Sequence, residues 1–277
     1  MQLIINADDF GRSHHINEAV ILAHREGLVT SASLMVTGEA VEEAVALAGE
    51  HPRLAVGLHL VVVAGQAALP PPEIPHLVDE RGRFTDAPLT AGLRYAFSRP
   101  ARVELGREIA AQFERFASTG LPLSHVDGHL HMHLHPALWE PVFTLAARYG
   151  AKGIRIPHDE LCLSLRHDRR HLGLKVGWTL AFALLNGPAR RQAHRMGLRT
   201  VERVYGLLQS GHMDESYLLD VVQRLQTTTA EVYLHPNMVR EHDLGPNPDD
   251  LRAALSTRVR AALSARGIQL TTYANLA

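Results

Sequence analysis

Short, nearly continuous apolar runs alternate along this chain with segments whose apolar residues recur at helical spacing. QLIINA leads into a helix expected from about Ser13 to Glu26, where Ile16, Ala19, Val20 and Ala23 share a face behind a serine suited to cap the first turn. TSASLMVT precedes a helix over Glu39 to Ala48, and LAVGLHLVVV follows. The rhythm then stops in a Pro-rich passage near residues 65–90, ALPPPEIPHLVDERGRFTDAP, which reads as an insertion over one face. Beyond it a helix near Val103 to Ala117 leads to LPLSHVD, a helix near Leu138 to Tyr149 leads to AKGIRIP, and a long helical region follows. The last strands are expected in TVERVYG, AEVYLHP and GIQLTTY, with helices over Glu215 to Leu225 and Asp249 to Ala265 between them.

Strand and helix alternating about seven or eight times favour a parallel α/β barrel or a doubly wound sheet. Periodicity does not separate the two, but the polar residues do. Asp8 and Asp9, His59, Asp127 and His129, Arg155, and His235 stand at the carboxyl ends of expected strands. Parallel α/β folds build their sites at those ends. Their convergence on one mouth fits an irregular (β/α) barrel of TIM-barrel-like design. No Ser/Gly linker or low-complexity tract divides the sequence, so one domain over residues 1–277 is expected.

The chain has 277 residues, 46% hydrophobic and 21% charged, a composition suited to a soluble globular protein with a full core. Its net charge of −1, from 28 basic and 29 acidic residues, gives no global field for nucleic acid, and no nucleic-acid partner is expected. A single cysteine, Cys162, excludes an intramolecular disulfide framework and a four-cysteine zinc site, and suits a reducing compartment. The opening MQLIINADDFG lacks the order of a signal peptide, so cytoplasm is the expected location.

Charge is uneven in one place. Residues 166–199 carry Arg166, Arg169, Arg170, Lys175, Arg190, Arg191, Arg195 and Arg199 against Asp168 alone. Within them GLKVGWTLAFALL is too short for a bilayer, which needs about 20 residues. Such a segment can rest on an anionic surface at the inner face of a membrane, or form a barrel helix with arginines solvated at its ends.

The chemistry concentrates in SHVDGHLHMHLHP, where five of 18 histidines interleave with Val126, Leu130, Met132 and Leu134, a pattern of ordered structure rather than a polar tail. Imidazoles at a strand end and the loop beyond it are common metal ligands. His125, Asp127, His129 and His131 would share one side of an extended segment, although Gly128 favours a bend. So short a spacing does not let all of them bind one ion, so some hold ligands in place or touch substrate. Asp127 is expected to orient a ligand histidine. Asp8 and Asp9 are adjacent carboxylates that repel unless a cation or proton is shared, though such a pair can also merely cap the next helix. His59 lies inside an apolar strand, where a lone histidine is often a hydrogen-bonded core residue. One carboxylate and two imidazoles with a position left for water describe a catalytic site.

NADDFG, GLHL, SHVDGHLHMH, IRIP and YLHP, in order from Asn6 to Asn237, resemble the YdjC-like family of carbohydrate deacetylases, which includes chitooligosaccharide deacetylases. The resemblance implies a barrel of the glycoside hydrolase/deacetylase type and removal of N-acetyl groups from amino sugars. Carried over by position, it implies that Asp9, His59 and His129 bind one divalent ion, that Asp8 is the general base and that His235 is the general acid. Within the family the chain is most similar to the hopanoid biosynthesis-associated deacetylases, in GLHLVVVAGQAALPPPEIPHLVD and around Gly173 to Arg191. That implies an amino-sugar headgroup on a glycolipid; soluble chitooligosaccharides are the alternative.

An amide carbonyl is a poor electrophile, and one ion can both polarise it and activate water. Asp with two His suits zinc, and also cobalt, nickel or magnesium. Arg155 could orient Asp8, contact a sugar oxygen, or form a surface salt bridge. His131 is a candidate for holding a ligand or touching substrate. A metal-dependent phosphoesterase on a histidine-rich barrel is a competing reading, but such sites often begin with a His-x-His pair where this chain has Asp8 and Asp9. A non-catalytic metal-binding protein is a further one.

Overall fold

The computed structural model describes residues 1–241 and 245–276. Among the described residues eight parallel strands form the sheet: β1 Gln2–Phe10, β2 Ser31–Leu34, β3 Ala55–Leu60, β4 His125–Gly128, β5 Gly153–Ile154, β6 Arg203–Tyr205, β7 Thr229–Leu234 and β8 Gln269–Leu270. Their order is β5-β4-β3-β2-β1-β7-β6. β1 pairs with β7 along Gln2 to Ala7. Its opposite edge serves β8 at Gln2 and Leu3 and then β2 from Asn6 onward. The wall is completed irregularly, since the segment before β6 bridges β5 through Arg199 and Gly153. The result is the expected α/β barrel-like fold.

Ten α-helices accompany the strands among the described residues: α1 His14–Arg25, α2 Val41–Glu50, α3 Pro88–Phe97, α4 Arg99–Ser118, α5 Trp139–Arg148, α6 Leu161–His167, α7 Leu172–Arg195, α8 Glu215–Arg224, α9 Pro248–Ala254 and α10 Thr257–Ala265. Ser13 caps α1 as its sequence predicts, accepting from Ile16 N. The helix expected over Asp249 to Ala265 is instead two. Ser256 leaves the helical conformation and caps α10 through Val259 N, which breaks the run. α3 was not anticipated. α4 starts at Arg99 rather than Val103, because Ser98 caps it and Pro100 suits its first turn.

Alternation along the strands sorts the side chains. Leu3, Ile5 and Ala7 of β1, Ala32 and Leu34 of β2, Leu58 of β3, Val126 of β4 and Val232 of β7 join the main apolar core. The intervening positions supply buried polar groups: Asn6, Asp8, Ser31, Ser33, His59, His125, Asp127 and Glu231. In β1, β2, β3, β4 and β7 one side is therefore apolar and the other, on alternate residues, carries the buried polar groups.

The Pro-rich insertion packs along α4. Glu108 accepts from Ala68 N (2.7 Å) and Leu69 N (2.9 Å), Gln112 exchanges two bonds with Val61, and Glu104 accepts from His76 N. Glu104, Glu108 and Gln112 recur at i, i+4 and i+8, so one polar helix face satisfies backbone groups that a long loop would otherwise bury unpaired.

Candidate active site

The site begins with an irregularity in β1. Its register against β2 shifts between Ala7 and Phe10, and Asp9 has φ 64°. Adjacent residues of a regular strand point to opposite faces, and this left-handed residue lets both Asp8 and Asp9 serve the same end of the barrel. A positive φ is uncommon outside glycine and costs backbone energy, so the surroundings must hold it.

Asp9, His59 and His129 each offer a ligand atom within 4.8 Å of the others. Asp9 Oδ1 lies 3.4 Å from His59 Nε2 and 3.2 Å from His129 Nδ1. This oxygen is buried and lacks a well-formed hydrogen bond. His59 uses its other nitrogen, Nδ1, against Asp127 Oδ1 at 2.8 Å, which fixes the ring with Nε2 toward Asp9. A buried oxygen facing two imidazole nitrogens fits a divalent ion with an open coordination position. Burial pushes the Asp9 carboxyl up, but His129, Arg12 and His59 outweigh it and hold Asp9 well below the usual carboxylate range.

Asp8, His59 and Asp127 form a second compact group, but a cation already compensates it. Arg155 is fully buried and donates to Asp8 from both terminal nitrogens, at 2.7 and 2.8 Å. It also reaches Asp127 Oδ2 at 2.9 Å and Glu231 Oε1 at 2.7 Å, and lies 4.5 Å from the centre of the Tyr233 ring. Its burial overturns the surface salt bridge considered above and keeps its guanidinium from solvent. Desolvation alone would lower the Arg155 pKa, but Asp127, Asp8 and Glu231 raise it well above its ordinary value. Asp8 Oδ1 also accepts from Asn6 Nδ2 at 2.8 Å. Three of about four carboxylate acceptor positions are then used, leaving room for one further proton partner. His235 Nε2 stands 4.0 Å from Asp8 Oδ2, beyond hydrogen-bond reach, while its backbone N–H donates to Asp250.

The remaining histidines support these groups. The chain leaves β4 at Gly128, and Leu130 and His131 are left-handed, so the shared extended side expected from His125 to His131 ends at the bend. His131 is buried and pairs with Tyr233 Oη at 2.8 Å, behind Arg155. His133 Nε2 donates to the Arg155 carbonyl at 2.8 Å. His125 stacks on Tyr273, bonds Ser33 Oγ at 3.1 Å, and occupies the space over Gly57, where a Cβ would stand 2.4 Å from its ring. Ser33 in turn donates to Asp127 Oδ2, and Tyr273 to Glu231 Oε2. Asn6, Ser33, Glu231, Tyr233 and Tyr273 were not singled out from the sequence; their place at alternate strand positions or against that face was the available signal.

Burial pushes His125 and His133 each down to about 4, so both are neutral in the folded protein. An unfolded histidine titrates near 6.5, so the unfolded chain takes up these protons first as pH falls. Their contribution is complete above about pH 6.5 and is lost progressively toward pH 4, by up to roughly 3 kcal/mol per ring. His59, raised by Asp127 against its own desolvation, opposes this slope. Urea midpoints should fall between pH 7 and 5, and His125→Gln should flatten the slope; a pH-independent midpoint in the wild type would contradict the assignment.

A family model described as YdjC-like protein matches residues 2–265. Proteins named carbohydrate deacetylase are 46% identical over 149 residues in Brevibacillus brevis, covering 54% of this chain and 57% of the relative, and 42% identical over 147 residues in Geobacillus stearothermophilus, covering 53% and 56%. Each alignment thus spans somewhat over half the length of the curated relative. A crystal structure from Enterococcus faecalis V583, provisionally described as a cellobiose-phosphate cleavage protein, superposes with a TM-score of 0.75 at 24% identity, covering 100% of this chain and 98% of that one, a likeness of fold. With the family model running through nearly every strand and helix described above, the chain belongs to the YdjC-like protein family.

Proposed function

We propose that this protein is a metal-dependent carbohydrate N-deacetylase, which removes the acetyl group from an N-acetylated amino sugar. The observation that carries the reading is the facing of Asp9 Oδ1 by His59 and His129, with the Arg155-held Asp8 and His235 beside them. The relatives named carbohydrate deacetylase support it. Asp9, His59 and His129 would hold the ion, zinc or magnesium. When bound, such an ion supplies Lewis acidity to the amide carbonyl and makes water nucleophilic near neutral pH. Asp8 takes the proton from the attacking water, with Arg155 and Asn6 fixing its carboxylate. Asp127 keeps His59 in one tautomer, and His235 protonates the departing amine.

The finer reading is that the sugar is the headgroup of a hopanoid glycolipid, reached by peripheral contact with an anionic membrane at its cytoplasmic face. Among the described residues no helix is long and apolar enough to cross a membrane. On α7, however, Leu174, Trp178, Leu180 and Leu184 are exposed, which leaves apolar side chains of this helix open to a partner surface. The cations available to this contact are fewer than the sequence implies. Lys175 is buried against Ser164 and Gln209, Arg190 bonds the Val201 and Glu202 carbonyls, and Arg199 bonds those of Tyr273 and Ala274. Arg191 and Arg195 instead line an open cleft of about 480 Å³ with Trp139.

Acetate release should be measured from an N-acetylglucosaminyl lipid in anionic vesicles and from free diacetylchitobiose, with metal-stripped protein and after addition of zinc or magnesium. Activity should return with the ion in the wild type but not in His129→Ala, which should also lose bound metal. No release from either substrate with either ion would overturn the deacetylase reading. Equal or greater turnover of free diacetylchitobiose would sink the glycolipid reading alone.

A further inference from the structure

Arg12 has no part in the chemistry above, yet it touches the same carboxylate. Its Nη1 donates to Asp9 Oδ2 at 2.8 Å and its Nη2 to Glu241 Oε2 at 2.7 Å. The Arg12 backbone N–H also closes a turn onto the Asp9 carbonyl, next to Gly11 at φ 89°. Glu241 belongs to the loop that follows β7 and carries His235. There it accepts from Asn237 Nδ2 at 3.2 Å, and buried Asn237 is tied to Asn247, which bonds the His235 carbonyl.

Resting on the metal reading above, we propose that Arg12 and Glu241 form a charge-regulating pair. It sets how tightly the Asp9, His59 and His129 centre holds its ion and joins that centre to the loop bearing His235. The guanidinium occupies Asp9 Oδ2 and so leaves Oδ1 as the single donor oxygen toward the two imidazoles. A fixed positive charge beside a divalent ion weakens its binding while leaving the ion a stronger Lewis acid, because less donor charge reaches it. Glu241 withdraws part of that effect by sharing the guanidinium. Both side chains are partly exposed, at 33% and 26%, so substitution need not disturb the core.

The two partners therefore have opposite signs. Removing the cation should tighten ion binding, and removing its counter-charge should loosen it. A simple structural tether predicts that breaking either end acts in the same direction. Dissociation constants for zinc and magnesium should be measured by chelator competition on metal-stripped wild type, Arg12→Gln, Arg12→Lys and Glu241→Gln. The expected result is binding about tenfold tighter in Arg12→Gln, near wild type in Arg12→Lys, and several-fold weaker in Glu241→Gln. Shifts of the same sign in Arg12→Gln and Glu241→Gln, or changes under twofold in both, would overturn the pair while leaving the metal reading intact. A wild type that binds neither ion would overturn both.

Discussion

Asp8→Asn should retain the fold and most of the bound metal while turnover drops by roughly 10²- to 10⁴-fold, the usual range for removing a general base. The isosteric amide cannot accept the water proton. It also turns an NH₂ against one of three donors, Asn6 Nδ2 or the two Arg155 nitrogens that now bond the carboxylate. A loss of about 1 to 3 kcal/mol of stability should accompany it, since one buried donor is left without its acceptor. Asp9, His59 and His129 do not depend on the Asp8 oxygens, so ion stoichiometry is the control. Acetate release and metal content measured on the same sample separate the roles. Near wild-type turnover would mean that another group takes the proton, whereas loss of metal would place Asp8 among the ligands.

Much of this site was legible because its strands are read two residues at a time. N-A-D in β1, S-A-S in β2, H-V-D in β4 and E-V-Y in β7 place polar residues on one side and small or apolar ones on the other. The strand-end carboxylates and histidines were recognisable as unusual in apolar runs. What period two could not supply was the Asp9 turn, since a left-handed residue breaks the alternation that defines the pattern. Arg155 was visible only as a strand-end cation. Its three carboxylate partners come from β1, β4 and β7, and nothing local to residue 155 announces neighbours from Asp8 to Glu231. The basic count of residues 166–199 overstates the charge left free for a related reason. Composition counts charges without showing that Lys175 turns inward or that Arg190 and Arg199 cap backbone carbonyls.

Arg155→Met should be the most damaging single change to stability. The arginine is the cation for Asp8, Asp127 and Glu231, all buried in one small volume. Methionine fills part of the space but leaves three buried carboxylates without the guanidinium that now lies among them. Removing one partner of a buried ion pair typically costs about 3 to 5 kcal/mol, a large part of the stability of an ordinary domain. The pH dependence identifies the cause. Burial already pushes Glu231 up in the native protein, against Arg155, and without the arginine its carboxyl should rise further. A folded group with a raised pKa binds its proton before the unfolded chain does, so the variant should regain stability relative to the wild type as pH falls through that value. His125 and His133 resist protonation in both proteins between pH 7 and 5, so their contribution largely cancels from the difference between variant and wild type. Urea midpoints at pH 7, 6 and 5 should therefore converge for the two proteins. Adding Glu231→Gln to Arg155→Met removes one uncompensated charge and should recover part of the loss at pH 7. A variant within about 1 kcal/mol of wild type, or a gap that widens on acidification, would show that the carboxylates do not rely on Arg155 for their charge balance.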